Sequence, residues 1–303
     1  MTILLLGKDG QVGWQLQRSL APHGPVVACG RDQCDLSDPA RICSVIREIR
    51  PSVIVNASAY TAVDKAETES ELAWRVNAEA PRILAEEAAS LGALVIHYST
   101  DYVFDGSKGS PYREDDPTGP LSVYGRTKLE GEEGIRAAGG KSLIFRTSWV
   151  FGARGNNFVK TILRLARDRE SLNVVADQIG SPTPAAMIAT VTGIVLAMLR
   201  RGELLKAGEN RLYHLAAARP VSWCDFARTI VGLAGQAPGF SLRLKPEAIH
   251  PISTSEYPTA ARRPANSRLD CTRLEDDFGL QMPDWQPYLE RMLQLLALKQ
   301  NGY

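Results

Sequence analysis

Cysteine is scarce in this 303-residue chain, and its five copies, Cys29, Cys34, Cys43, Cys224 and Cys271, are scattered without a Cys-x-x-Cys pair. An odd set of this kind excludes a disulfide framework and offers no metal-ligand spacing, so packing roles in a reducing compartment are expected. Long apolar runs are missing too. Ile3 to Leu6 has no basic segment before it and no cleavage signal after it, which reads as a buried strand rather than a signal peptide. No later stretch approaches the roughly 20 apolar residues of a membrane span. Nor is there charge of one sign, since 35 Lys and Arg stand against 34 Asp and Glu for a net +1. No general field draws nucleic acid or a membrane surface, and any bound anion must be held by local groups. Repeats, low-complexity segments and flexible linkers are also absent. A cytoplasmic protein is expected, with neither nucleic acid nor membrane as partner.

What is present is an ordinary globular composition, 44% hydrophobic and 23% charged, enough for a sizeable core. Short continuous apolar runs recur at Ile3 to Leu6, Val26 to Ala28, Val53 to Val55, Leu94 to Ile96 and Leu143 to Phe145. Such runs suit strands buried on both faces of a parallel sheet. Helical patterns lie between them, from about Val12 to Leu20, Pro39 to Ile49, Glu69 to Leu91 and Val123 to Ala138. The alternation predicts an α/β fold with a doubly wound, Rossmann-like parallel sheet. After Trp149 the rhythm breaks. Residues 1–150 are therefore expected to form a dinucleotide-binding domain, and 151–303 mainly a smaller substrate-binding lobe. Helices are predicted there over about Asn157 to Arg169 and Ala185 to Leu199, and the segments 172–176 and 212–215 are candidates to return to the core sheet.

The first strand runs into Gly7-Lys8-Asp9-Gly10-Gln11-Val12-Gly13. Glycines in a strand-to-helix turn let the backbone approach a pyrophosphate, and the helix N-terminus adds N–H donors. Selectivity for the cofactor's 2′ position belongs at the end of the second strand, where an acidic residue would bind the ribose of NAD. Here Gly30 and Arg31 replace it, and a guanidinium suits a 2′-phosphate, so NADPH is favoured with NADH admitted.

The fourth strand ends in Ser99-Thr100-Asp101, at the side of a doubly wound sheet that faces ligand. Tyr124 and Lys128 stand four apart on the next helix and share a face. A ketone reduced by hydride needs a proton at oxygen. A phenol beside an ammonium, its pKa lowered by that charge, can supply it, while the Thr100 hydroxyl holds the oxygen. His97 alternates with Tyr98 on the strand and is read as a satisfied buried histidine.

At these residues the chain resembles the dTDP-4-dehydrorhamnose reductases, an extended short-chain reductase family, along nearly its whole length. The likeness is carried by Gly7 to Gly13, Asn56 to Glu67, His97 to Phe104, Tyr124 to Lys128, Phe145 to Val150 and Gly155 to Phe158. Later come Asp177-Gln178, Gly180, Pro182-Thr183, Arg262-Arg263-Pro264 and Asn266 to Leu269. The resemblance implies reduction of a dTDP-linked keto-sugar at C4, with Tyr124 as proton donor. It implies Thr100, Asp101 and Trp149 at the sugar, and Lys128 also at the nicotinamide ribose. Gly10, Gln11 and Val12 would meet the pyrophosphate, Asp35 and Leu36 the adenine side, with Ala59, Tyr60, Thr61 and Tyr98 completing the groove. Arg263 and Arg268, flanking Asn266 and Ser267, are candidates for the substrate diphosphate. A divalent metal seen at a subunit contact in some relatives is not carried over, because the first helix offers Gln15, and a homodimer is an admitted assembly. The rival readings are an epimerase or reductase of another nucleotide-sugar, and a non-catalytic regulatory subunit of the same fold.

Overall fold

Successive residues of the first strand are all buried because they face two interiors in turn. Ile3 and Leu5 pack with Leu16, Leu20, Met187 and Ile188 on one side, and Leu4 and Leu6 with Ile42, Val45, Ile46 and Leu84 on the other. Each such aliphatic side chain contributes on the order of 1.5–3 kcal/mol when fully withdrawn from water. The computed structural model describes residues 1–200 and 209–300. Its central sheet has six parallel strands, β1 (Ile3–Leu6), β2 (Val26–Cys29), β3 (Val53–Asn56), β4 (Leu94–Thr100), β5 (Lys141–Thr147) and β6 (Asn210–His214). They lie in the order β6-β5-β4-β3-β1-β2. The chain reverses direction across the sheet at β1, which has β2 on one side and β3 on the other. That switch point opens a crevice beyond the carboxyl ends of the strands.

Helix α1 (Gln11–Leu20) packs on Ala185–Arg200 over one face. Helices α2 (Pro39–Ile49), α3 (Ala80–Leu91) and α4 (Val123–Ala137) cover the other. Of the two later segments considered for the core sheet, Asn210–His214 pairs with β5 as its edge strand, whereas Leu172–Val175 pairs with Ile249–Ile252 in a separate two-stranded sheet. Val221–Ser222, Ile179–Gly180 and Asn266–Ser267 form a third small sheet. Among the described residues, no helix is long and apolar enough to cross a membrane.

The single helix expected from Glu69 to Leu91 is broken. Ser70–Trp74 is α-helical, Arg75–Glu79 widens into a π turn, and α3 follows. The widened turn directs Asn77 inward, where its amide accepts from the Tyr60 N–H at 2.8 Å and donates to the Tyr60 carbonyl at 3.1 Å. Gly131 of α4 lies against it so closely that a Cβ there would come within 2.1 Å of the Asn77 carbonyl oxygen. Hydrophobic periodicity carries no sign of this bulge, because the alanine-rich run from Ala73 to Ala89 gives little apolar contrast to mark a change of phase.

Candidate active site

The glycine turn is built by close approach. Gly7 has φ +83°, and a Cβ would meet Ser58 Oγ at 2.7 Å. Gly10 caps α1 with no side-chain hydrogen bond, so the helix N-terminus presents backbone alone. Gly7, Gly10, Gln11 and Val12 line a cleft of about 620 Å³. Gly13 does not line it; a Cβ there would stand 1.9 Å from the Gly7 carbonyl oxygen, so this glycine lets helix and turn touch. The Gln11 amide donates to the Val150 carbonyl at 3.3 Å and accepts from Asn157 at 2.8 Å, tying the turn to the segment beyond β5.

Gly30, Arg31, Asp35 and Leu36 line the far end of the same cleft. The Arg31 side chain is 76% exposed and pairs with Asp35 at 3.2 Å. Ser37 donates to the same Asp35 carboxylate from N–H and hydroxyl, and these bonds with Arg31 hold it below the usual carboxylate range. A Cβ at Gly30 would strike Asp9 at 2.4 Å and Asp32 at 2.8 Å. Lys8 is a second cation at this corner, donating to Gln33 Oε1 at 2.9 Å while the Gly30 N–H donates to the same oxygen at 2.7 Å. It lies inside the glycine motif, where its neighbours in space cannot be read from spacing. Ala59, Tyr60 and Thr61 form the opposite wall, with the Tyr60 backbone fixed by Asn77.

Helix α4 brings Tyr124 and Lys128 to this cleft. Ser122 caps it by accepting from the Gly125 N–H at 3.1 Å. Gly125 permits the approach to the turn after β4, since a Cβ would come within 2.2 Å of the Tyr102 carbonyl oxygen. The Thr100 hydroxyl donates to Asp101 Oδ1 at 3.0 Å and accepts from the Tyr102 N–H at 3.2 Å. Burial pushes the Tyr124 phenol up to about 12, with the Thr100 hydroxyl drawing it the other way. Lys128 Nζ donates to the Tyr98 carbonyl at 2.6 Å and lies 3.0 Å from His97 Nε2. Burial lowers its pKa to about 8, opposed by Glu132. The expectation of a phenol made more acidic by the lysine is therefore corrected. The lysine is bound to β4, and withdrawal from water dominates at the phenol.

Tyr98 and Ser99 line the cleft, and the Tyr98 hydroxyl bonds to Thr192 at 2.7 Å. His97 is buried and faces Asn56 and Lys128. Asp101 is also buried; desolvation raises it to about 6 against the pull of the Ser267 and Thr100 hydroxyls, so Asn266–Ser267 meets the end of β4 here. Trp149 adopts φ +47° and stacks on Trp223 with ring centroids 3.4 Å apart. A backbone conformation this rare for a bulky side chain costs on the order of 1–3 kcal/mol and persists only where packing enforces it. Gly180 makes room, because a Cβ there would lie 2.5 Å from the indole. Thr100, Asp101, Trp149, Arg263 and Arg268 stand outside the cleft's lining. Arg263 pairs with Asp64 at 2.7 Å, and Arg268 donates to Asn266 Oδ1 at 2.8 Å and the Gly109 carbonyl at 2.6 Å.

Residues 1–298 match the family described as "RmlD substrate binding domain". The chain is 48% identical over 297 residues to the dTDP-4-dehydrorhamnose reductase of Escherichia coli K12, covering 97% of each. It belongs to this family. The family's solved structures share the architecture. A dTDP-4-dehydrorhamnose reductase from Clostridium acetobutylicum superposes with a TM-score of 0.87 at 36% identity, over 98% of this chain and 99% of that one. The Bacillus anthracis reductase, solved in complex with NADP, gives 0.84 at 35% identity, over 96% and 98%.

Proposed function

We propose that the chain reduces the C4 ketone of dTDP-4-dehydro-6-deoxy-L-mannose (dTDP-4-dehydrorhamnose) with NADPH, giving dTDP-L-rhamnose. One observation carries the reading: the Tyr124 phenol and the Gly10–Val12 turn open onto a single cleft, in a chain nearly half identical to reductases of this substrate. The cradle fits a dinucleotide, because side chains at Gly7 and Gly30 would collide with its walls and the α1 N-terminus is capped by backbone alone. The α1 amides would hold the pyrophosphate, and Arg31 with Lys8 the 2′-phosphate.

When bound, the reduced nicotinamide supplies the hydride. Tyr124 gives its proton to the carbonyl oxygen as the carbon gains that hydride, so the ketone becomes a secondary alcohol and Tyr124 a phenolate that must regain a proton. A phenol near 12 stays protonated through the physiological range, yet remains a stronger acid than the alcohol it creates. Thr100 steadies the oxygen while charge develops. Asp101 and Trp149 hold the deoxysugar, whose apolar face suits an indole. Arg263 and Arg268 take the diphosphate by exchanging carboxylate and carbonyl partners for phosphate oxygens.

The test is a coupled assay with dTDP-4-dehydrorhamnose, comparing NADPH with NADH and identifying the product sugar. Stoichiometric NADPH loss with dTDP-L-rhamnose formed is the expected result. Sugar conversion without net cofactor consumption would mark an epimerase, and no conversion at all a binding protein.

A further inference from the structure

Behind the catalytic helix, three buried residues form a hydrogen-bond chain whose direction can be assigned. The Ser58 N–H donates to Asn56 Oδ1 at 3.1 Å, which leaves the Asn56 amide nitrogen facing His97 Nδ1 at 3.2 Å. Nδ1 must therefore accept, and a neutral imidazole that accepts there carries its hydrogen on Nε2. That nitrogen lies 3.0 Å from Lys128 Nζ. An ammonium has no lone pair and would meet the Nε2–H hydrogen to hydrogen. An uncharged amine accepts it and still donates to the Tyr98 carbonyl oxygen.

We propose that Asn56, acting through His97, is a positioning residue for Lys128: it turns an imidazole N–H toward the ε-amino nitrogen and so favours the uncharged amine. Burial works in the same direction, on Lys128 and on His97, which is held well below its ordinary value and stays neutral as the scheme requires. Glu132, one turn along α4, opposes this, but its carboxylate is engaged by Arg146 of β5 at 2.8 and 2.9 Å. Asp101, on the turn after β4, is occupied with Thr100. Charging Lys128 requires His97 to move its hydrogen to Nδ1 and Asn56 to turn its amide away from Ser58. One protonation thus rearranges three residues. The inference rests on the reductase reading for its interest at the active site: a lowered Lys128 pKa brings the charged and uncharged forms of the catalytic pair's lysine closer in energy near neutral pH.

Histidine-ring ¹⁵N NMR reads the tautomer, with His97 assigned by the signal lost in His97→Gln, and Lys128 ¹⁵Nζ reads the charge. Above the Lys128 transition, wild-type His97 should be the Nε2–H tautomer; an Nδ1–H ring overturns the proposal. In Asn56→Asp the carboxylate can only accept, so the ring should invert and the Lys128 transition rise by at least about one unit, tenfold in proton affinity. Asn56→Leu adds no charge and should move it the same way by less. If only the aspartate variant moves Lys128, the effect is added charge and the proposal fails. Should neither variant fold, the wild-type ring spectrum decides. None of these readouts involves the sugar, so a chain that fails to reduce dTDP-4-dehydrorhamnose would leave them intact.

Discussion

Asp64 and Arg263, 199 positions apart in sequence, meet in a two-pronged ion pair, with Nη2 2.7 Å from Oδ2 and Nη1 3.2 Å from Oδ1. The Ala261 N–H adds a third bond to the same carboxylate at 3.1 Å, so the helical turn beyond β3 is fastened to the segment around Ala261–Arg263. The pair is partly exposed, and its own contribution to stability is expected to stay below about 1 kcal/mol. Its effect should appear in substrate binding. Arg263→Ala is expected to raise the KM for the dTDP-sugar more than it lowers kcat, since a diphosphate remote from C4 is held about equally in ground and transition states. Asp64→Asn measured beside it, and in the double variant, separates the fastening from phosphate contact. Unchanged KM in folded Arg263→Ala would assign the arginine to structure alone.

Tyr124→Phe should reduce kcat by at least about a hundredfold, the ordinary scale of a lost general acid. NADPH affinity, measured by fluorescence titration, should barely change, because the phenol is one wall among many. Turnover close to wild type would remove Tyr124 from the proton transfer.

Arg31→Ala should weaken NADPH by about 1–2 kcal/mol and leave NADH nearly unaffected, the scale of a charge-assisted bond at a solvated site. The Asp35 pairing and high exposure of Arg31 argue for the lower part of that interval. Lys8→Ala tests the second cation at this corner. Equal losses for both cofactors in both variants would mean that neither side chain reads the 2′ position.

Lys128 makes a prediction about stability and pH. Its pKa falls from 10.5 to about 8 on folding, so between these values the unfolded chain binds more protons than the folded one. Stability should therefore rise with pH across that window, and the cost of the buried charge is fully present below it. Lys128→Met should abolish this slope and raise stability at neutral pH by something on the order of 1–3 kcal/mol. Urea denaturation at several pH values measures both effects, and a slope that survives the substitution belongs to another group.

The strands were legible because a sheet covered on both faces leaves its mark as unbroken apolar runs, and Ile3 to Leu6 with Val53 to Val55 carry that mark plainly. Cleft residues Gly10 to Val12 follow from the glycine turn after the first strand, and Ala59 to Thr61 from the family resemblance. What escaped depends on contacts across the fold. Asn77 reaches Tyr60 only through a π turn, and Leu172–Val175 finds its partner 77 positions downstream at Ile249–Ile252. Arg263 and Arg268 read in sequence as candidates for a diphosphate, while the folded chain supplies Asp64, Asn266 and Gly109 as partners.

The Trp149–Trp223 stack makes the protein its own optical reporter. Two indoles lying face to face, within 8° of parallel, perturb one another's excited states, so their emission should change when the rings part. Trp149 also rests against Gly180 and holds a φ of +47°, so parting the stack would disturb both contacts. A sugar that drew Trp149 away would change that emission. Binding could then be followed without label, in the slow Tyr124→Phe protein with NADPH left out.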